Sequence, residues 1–156
     1  MGYQSEAELE NKLIEKLKTQ GYERVFINDY SELENNFREQ LNKFNKKALN
    51  KKPLTDKEFE RVLNILNGKN VLQSAIKLRE KIDFDREDGT KIYLKLLSEN
   101  AEDNIYQVSN QITVQGKYKN RYDVTILING LPLVQIELKR SGIDSFPQLT
   151  FCHYGL

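Results

Sequence analysis

Apolar residues in the first half of the chain recur at the three- and four-residue spacing of amphipathic helices. The first predicted helix runs from Ser5 to Thr19 and carries a leucine and isoleucine stripe along one side. Ser5 is the expected N-cap, and Glu8 stands three residues later, which is the pattern of a capping box. Gly21 follows the last apolar residue and marks the end of the helix.

Two further helices follow from the same spacing. One is predicted over Ser31–Phe44, and another begins after Thr55, where Glu58 completes a second capping box. Helical structure is also expected over residues 71–81. The lysine-rich stretch 46–53 interrupts the helical pattern, and we interpret it as a solvated linker in preference to a DNA contact.

The second half of the chain changes to strand-like alternation. Strands are predicted at residues 91–96, 107–115, 122–128 and 133–139, and residues 25–27 form a further strand or an extended link. Helices that precede a set of strands predict an α/β fold with a mixed, largely antiparallel sheet flanked by helices.

Charged residues interrupt two of the most apolar strands. Asp123 opens the strand before the Asn129-Gly130 turn signal, and Glu137 and Lys139 end the strand after it. A charge in such a place costs free energy unless it is paired or holds a metal ion. Two carboxylates and a lysine on one sheet face would bind a divalent cation and activate a water, as a phosphodiester-cleaving site requires.

The register of this hairpin decides whether the site exists. A strict two-residue turn pairs Asp123 with Ile136, which leaves Glu137 on the opposite face. A three-residue loop, or an equivalent bulge, brings Asp123 and Glu137 to the same face, with Asp123 facing Gln135. The functional interpretation therefore predicts an odd register. The alternative is structural: Asp123 caps a turn, while Glu137 and Lys139 form a solvated ion pair.

Composition narrows the class of protein. The 156 residues are 38% apolar and 30% charged, with a net charge of +1 and a single cysteine, Cys152. These values are typical of a globular domain without disulfides, and no apolar run is long enough to span a membrane. We expect a soluble, cytoplasmic protein. With so little net charge, any nucleic-acid binding has to depend on local basic groups.

Three segments together resemble a known family. The run from Asn120 through Asn129-Gly130 to Lys139, the opening at residues 3–22 and the segment 36–41 are similar to the amino-terminal part of type I restriction enzyme R subunits. That region belongs to the PD-(D/E)xK nuclease superfamily. The similarity covers residues 3–144, and we take residues 1–144 as the endonuclease domain, with a helical first half and a strand-rich second half.

The resemblance implies a site and a function. Asp123, Glu137 and the backbone carbonyl of Leu138 are expected to ligate Mg²⁺. Lys139 is expected to orient or deprotonate the attacking water, or to stabilise the pentavalent phosphorane. A further acid from the first helix is expected at Glu6. Intact family members also use ATP, act on double-stranded DNA, and assemble with modification and specificity subunits.

The tail departs from the family pattern. A helix with a Gln-x-x-x-Tyr motif is expected after Lys139, but residues 145–147 interrupt it, and Cys152 stands where the tyrosine is expected after Gln148. We therefore expect residues 145–156 to be a divergent tail, and the chain to be a C-terminally truncated, restriction-endonuclease-like fragment without the ATP-driven translocase motor.

Other interpretations stay open from sequence. Glu10, on the edge of the apolar stripe, is a rival to Glu6, and a structural role at the helix start is at least as plausible for Glu6. The chain could instead be a non-catalytic docking module of the restriction complex that acts through residues 31–81. It could also be another PD-(D/E)xK nuclease, of repair or mobile-element origin.

Overall fold

The computed structural model describes residues 5–66, 77–114, 120–138 and 149–150. Within these residues the chain divides into two compact units. The second unit is the continuous stretch Phe37–Asn104, and the first unit consists of the residues before and after it. The domain boundary predicted at residue 144 lies outside the described residues.

The three helices with the strongest sequence signals are confirmed. They are α1 (Glu6–Thr19), α2 (Tyr30–Phe44) and α3 (Asp56–Leu66). Both capping boxes form: Ser5 and Glu8 exchange hydrogen bonds of 3.2 and 2.9 Å, and Thr55 and Glu58 exchange bonds of 3.2 and 3.0 Å. These local bonds satisfy amide groups that a helix start would leave without partners. The helix predicted over residues 71–81 lies mostly outside the described residues.

The described strands differ from the prediction at several ends. They are β1 (Glu23–Arg24), β2 (Ile82–Asp85), β3 (Lys91–Leu94), β4 (Tyr106–Asn110), β5 (Thr113–Val114), β6 (Asn120–Arg121), β7 (Val124–Ile128), β8 (Leu131–Ile136) and β9 (Leu149–Thr150). The strand expected at 107–115 is broken at Gln111, whose φ of +59° ends the extended conformation. The early strand is assigned at residues 23–24, and residues 25–27 follow it as a link, in which the Val25 N–H still donates a 2.9 Å hydrogen bond to the Val108 carbonyl. The strand β2 was not predicted.

The first unit is built on a mixed sheet, which confirms the predicted fold class. Among the described residues, five strands lie in the order β1-β4-β7-β8-β9, with β1 parallel to β4 and the other neighbours antiparallel. One face packs on α1 through Ile14 and Leu17, which contact Val108, Val124 and Ile136. This arrangement explains the apolar stripe of α1, because burial of that stripe stabilises helix and sheet together.

The other face of the sheet packs on the start of α2. Leu127 and Ile112 form a buried cluster with Leu33 and Ile27. Polar contacts cross this layer as well, since the Asn36 and Gln107 amides exchange two hydrogen bonds of 2.9 and 3.1 Å. The sheet is therefore covered on both sides, so a polar side chain within it needs a partner.

The second unit contains the antiparallel hairpin of β2 and β3 together with α3 and the end of α2. The rings of Phe37 and Phe59 contact each other in a tilted arrangement, with their centroids 5.8 Å apart. The lysine-rich stretch 46–53 connects α2 to α3 and is exposed at every position except Leu49, as expected for the predicted solvated linker, but it is also anchored to the unit. It forms turns in which Leu49 is buried, and the Arg86 guanidinium binds its carbonyl groups.

Within the described residues, no helix combines the length and the apolarity that crossing a lipid bilayer requires.

Candidate metal-binding site

The β7–β8 hairpin turns tightly at Asn129-Gly130. Both residues have positive φ values, +51° and +81°, as a type I′ turn requires. The turn pairs Ile128 with Leu131, so the loop has two residues and not three. Such a loop alone would leave Asp123 and Glu137 on opposite faces.

A β-bulge restores the register that the site needs. Leu127 pairs with Pro132, whereas Ile126 pairs with Val134, so Leu133 is the extra residue of β8. The odd register is therefore present, through the bulge and not through a three-residue loop. This changes one expected neighbour: Gln135 pairs with Thr125, and it does not face Asp123.

Asp123 immediately precedes β7, and Glu137 immediately follows β8. Val124 pairs with Ile136, and continuing this register by one residue brings Asp123 opposite Glu137. The Asp123 Oδ2 atom accepts a 2.7 Å hydrogen bond from the N–H of Leu138. That N–H belongs to the peptide that joins Glu137 to Leu138. The Asp123 carboxylate is thus held against the residue that carries the second acid.

The backbone of Asp123 is fixed on its other side by β4. Its carbonyl oxygen accepts a 3.1 Å hydrogen bond from the N–H of Gln111, the residue in the left-handed conformation. Asp123 is half-buried, while Glu137 is exposed. The carboxylates of Asp123 and Glu137 are therefore both accessible to a ligand that approaches from solvent.

The polar residues of this hairpin share one sheet face. Val124 and Ile136 belong to the α1-facing core, so alternation directs Asp123 and Glu137 to the other face, together with Thr125 and Gln135. Within the described residues, both amide atoms of Gln135 and the hydroxyl of Thr125 are buried without a hydrogen-bond partner. Thr125 and Gln135 therefore form a buried polar pair on the same sheet face as the two acids.

The acids of α1 occupy different positions. Glu6 is exposed in the first turn of the helix. Glu10 is buried, and its Oε1 atom accepts a 2.7 Å hydrogen bond from the Asn110 amide. Asn110 pairs with Val124, the residue next to Asp123. Alternation directs Asn110 and Asp123 to opposite faces, so Glu10 approaches the hairpin from the α1 side.

Several predicted residues lie beyond what the structure describes. Lys139 is outside the described residues, as are Gln148 and Cys152. In the described ranges no group of three or more histidine, cysteine, aspartate or glutamate side chains is close enough to hold a metal ion. The candidate site therefore rests on two carboxylates, Asp123 and Glu137, with the adjoining backbone of Leu138.

This donor set suits a hard divalent cation. Mg²⁺ prefers oxygen ligands, and it commonly binds through one or two carboxylates while keeping several waters. Leu138 uses its N–H to hold Asp123, and its carbonyl oxygen is the third ligand that the family resemblance predicts. A merely structural aspartate would also accept the Leu138 N–H, so metal binding has to be measured to separate the two roles.

Some positioning residues carry no sequence signal. Gln111 looks like one more strand residue, and the bulge at Leu133 lies inside an apolar run without glycine. Asn110 contacts Glu10 across 100 positions of sequence. The Asn-Gly turn is the exception, because both residues tolerate positive φ.

Comparison with known proteins identifies close similarities over most of the chain. The profile of the family "Type I restriction enzyme R protein N terminus" matches residues 3–151, seven residues beyond the boundary predicted at 144. The chain is 52% identical over 145 residues to the endonuclease subunit of the type I restriction enzyme SauCOLORF180P of Staphylococcus aureus. This alignment covers 92% of the chain and 16% of that subunit.

Two other relatives are also endonuclease subunits of type I restriction enzymes and are also only partly covered by the chain. The endonuclease subunit of type I restriction enzyme SsaAORF53P of Staphylococcus saprophyticus is 52% identical over 145 residues, with the same coverage of 92% and 16%. The EcoprrI endonuclease subunit of Escherichia coli is 41% identical over 158 residues, which cover 94% of this chain and 49% of that protein. The chain therefore spans between about a sixth and a half of these relatives.

Proposed function

The chain belongs to the family of type I restriction enzyme R protein N termini, and on this premise we propose that it is the Mg²⁺-dependent DNA endonuclease domain of a type I restriction-modification system. In this proposal its site is of the PD-(D/E)xK type. The substrate is double-stranded DNA, and the site of action is the cytoplasm. The named relatives favour restriction over a repair or mobile-element nuclease.

One observation carries the proposal: the Asp123 carboxylate is hydrogen-bonded to the peptide between Glu137 and Leu138. The bulge at Leu133 sets the register that makes this contact possible. Two acids from neighbouring strands then share one sheet face, an arrangement that a divalent cation with carboxylate ligands can use.

Each residue has a defined task in this proposal. Asp123 and Glu137 hold the cation, with the Leu138 carbonyl as a third protein ligand. When bound, Mg²⁺ would stabilise charge on the attacked phosphate and activate a water for hydrolysis. Lys139 would orient that water through its ammonium group. Glu6 would supply the further acid expected on α1.

The full restriction system is part of the same proposal. We infer that the protein acts together with modification and specificity subunits, as its relatives' names imply a type I system. ATP would be used by the full-length R subunit. These assignments depend on family membership, because the described residues supply only the candidate nuclease site.

Metal titration tests the site directly. We expect calorimetry to show one Mg²⁺ site, and Asp123→Asn or Glu137→Gln to weaken binding by more than about tenfold, the minimum loss when even a supporting residue of a metal site is removed. The asparagine keeps an oxygen for the Leu138 N–H, so the hairpin is retained. Asp83→Asn, on an exposed strand position of the second unit, is the matched control and should bind as the parent does.

Cleavage distinguishes the roles further. Lys139→Ala should keep metal binding but lose nicking of supercoiled plasmid, since the ammonium acts on the water and not on the cation. A parent chain that binds no Mg²⁺, or acid variants that bind it unchanged, would contradict the nuclease proposal. That result would instead support the docking-module alternative, which requires no metal at Asp123.

A further inference from the structure

The second unit presents a concentration of positive charge that the metal site does not use. Residues 45–54, which we call the lysine loop, contain four lysines and no acidic residue. The side chains of Lys46, Lys47 and Lys51 are all exposed. Leu49 and Leu54 are each only 2% exposed, so the loop is anchored in the unit while its lysines face solvent.

A buried asparagine holds the first end of the lysine loop. The Asn45 side chain accepts a 2.8 Å hydrogen bond from the N–H of Lys95 and donates one of 2.9 Å to its carbonyl. It also donates to the Leu41 carbonyl at 3.0 Å. This bridge ties the end of α2 to the residue after β3, and so keeps Lys47 near Lys95.

A buried ion pair holds the other end. The Arg86 guanidinium donates to the carbonyls of Leu49, Lys52 and Pro53 at 3.3, 3.1 and 2.9 Å, while Glu58 balances its charge. Between these two clamps the backbone turns through residues 50 and 51, with positive φ values of 49° and 62°. A left-handed conformation costs about 1–3 kcal/mol at a residue other than glycine. The hydrogen bonds of Asn45 and Arg86 must therefore hold the loop in this conformation.

The result is a pair of adjoining hollows lined by lysines. A cleft of about 440 Å³ is lined by Lys47, Lys81 and Lys95, together with Tyr93 and Ser98. Asp103 is the acidic residue among its lining side chains. A second hollow of about 350 Å³ is lined by Lys46, Lys47, Lys51 and Asn50. Lys47 belongs to both.

The five lysines of these hollows (Lys46, Lys47, Lys51, Lys81 and Lys95), here called the lysine cluster, have no ion-pair partner within the described residues. Like charges held together repel, and the folded chain gains nothing from them by itself. Tyr93 is 62% exposed beside them, although large aromatic side chains are usually more buried. Cations with neutral hydroxyl donors are the groups that proteins use to bind phosphate oxygens.

We propose that the lysine cluster binds the sugar-phosphate backbone of duplex DNA, with the Tyr93 hydroxyl donating a further hydrogen bond to a phosphate oxygen. The choice of DNA as the polyanion rests on the proposed nuclease function. The contacts are to phosphates, so binding is independent of base sequence. The two clamps keep the cluster in place before DNA arrives, which lowers the entropy lost on binding.

The salt dependence of DNA binding tests this surface. Fluorescence anisotropy with a labelled duplex of mixed sequence, in EDTA and over a salt series, measures the slope of log Kd against log salt concentration. Each phosphate contact contributes about 0.9 to that slope. Replacing Lys47, Lys81 and Lys95 by glutamine should therefore lower it by about 2.7. Tyr93→Phe should weaken binding several-fold without changing the slope, because it removes a hydrogen bond and no charge.

Two variants are matched controls. Arginine at the same three positions retains the charges and should retain the slope. Glutamine at Lys12, Lys16 and Lys18 removes three exposed charges from α1, and it should leave the slope within error of the parent. Thermal unfolding of every variant by circular dichroism checks that the surface changes leave the fold intact.

The outcomes separate this inference from the nuclease proposal. If the parent chain does not bind the duplex, or if the α1 variant lowers the slope as much as the cluster variant, the lysine cluster is not the DNA-binding surface. Because EDTA removes the metal, this assay measures DNA binding by the lysine cluster separately from Mg²⁺ binding at the candidate site. Normal lysine-dependent binding in a chain without Mg²⁺ affinity would overturn the nuclease site and support the DNA surface.

Discussion

Replacing Glu58 by glutamine removes one charge from the best-buried ion pair among the described residues. Glu58 is 1% exposed, and its two oxygens accept hydrogen bonds from four donors: two nitrogens of Arg86 and the N–H groups of Glu87 and Thr55. Glutamine has nearly the same size but presents an NH₂ group to some of these donors. The change therefore tests electrostatics and hydrogen bonding, and it creates no cavity.

Two independent estimates give the stability that Glu58→Gln is expected to lose. Removing one partner of a buried ion pair leaves a buried charge and costs about 3–5 kcal/mol. Independently, burial alone would raise the pKa of Glu58, but the hydrogen bonds from Arg86, Glu87 and Thr55 and the charge of Arg86 outweigh it and lower the pKa from 4.5 to about 2. A shift of that size corresponds to about 3 kcal/mol of stability. We expect Glu58→Gln to lose about 3–5 kcal/mol at neutral pH, a large part of the stability of a small protein.

The pH dependence follows from the direction of the shift. The folded-state pKa of Glu58 is lowered, so its contribution is complete above pH 4.5 and is lost as the pH falls toward about 2. The difference in unfolding free energy between parent and variant should therefore narrow across that window. Urea unfolding followed by circular dichroism, repeated at several pH values, measures this difference.

Glu60→Gln is the matched control, because Glu60 lies on the same helix with an exposed side chain. It should change stability by less than about 0.5 kcal/mol, as is usual for surface positions. If Glu58→Gln lowers the free energy of unfolding by less than about 1 kcal/mol at neutral pH, the reasoning is refuted, because a single buried donor without a partner already costs about 1–3 kcal/mol. So would a parent–variant difference that stays constant down to pH 2.

Two further predictions concern the β7–β8 hairpin. Deleting Leu133 removes the extra residue of the bulge, so Val134 should still pair with Ile126 and the later residues should keep their partners. Calorimetry should therefore still detect the Mg²⁺ site. Loss of Mg²⁺ binding in a deletion variant that folds would contradict the assigned register. Gln135→Leu should raise the unfolding free energy by about 1–3 kcal/mol in urea titration, because two buried polar atoms without partners are replaced by apolar ones. If that variant is destabilised, the amide has a partner such as a bound water.

Much of the fold follows from interactions between residues that are close in sequence, and these can be recognised from the sequence alone. The capping boxes at Ser5 and Thr55 predicted the starts of α1 and α3, since both partners of each bond lie within three residues. The Asn129-Gly130 turn was recognisable for the same reason. The strand at Ile82–Asp85 was missed because its pattern is short, and its partner strand lies several residues away.

The candidate site was only partly predictable. The acids at Asp123 and Glu137 stand out as charges in apolar strands, and the requirement for an odd register follows from strand geometry. The sequence left open how that register would arise. The bulge at Leu133 depends on packing of both sheet faces, which no local pattern encodes.

The sequence by itself determined the helices, the tight turn and the family. The tertiary structure alone decided that Asn45 binds Lys95, that Arg86 binds the loop carbonyls, and that the lysine stretch is ordered. These contacts join groups 34 to 50 residues apart. Their formation depends on chain folding that brings the partners together, since a buried polar group selects its partner by position in space and not by distance along the sequence.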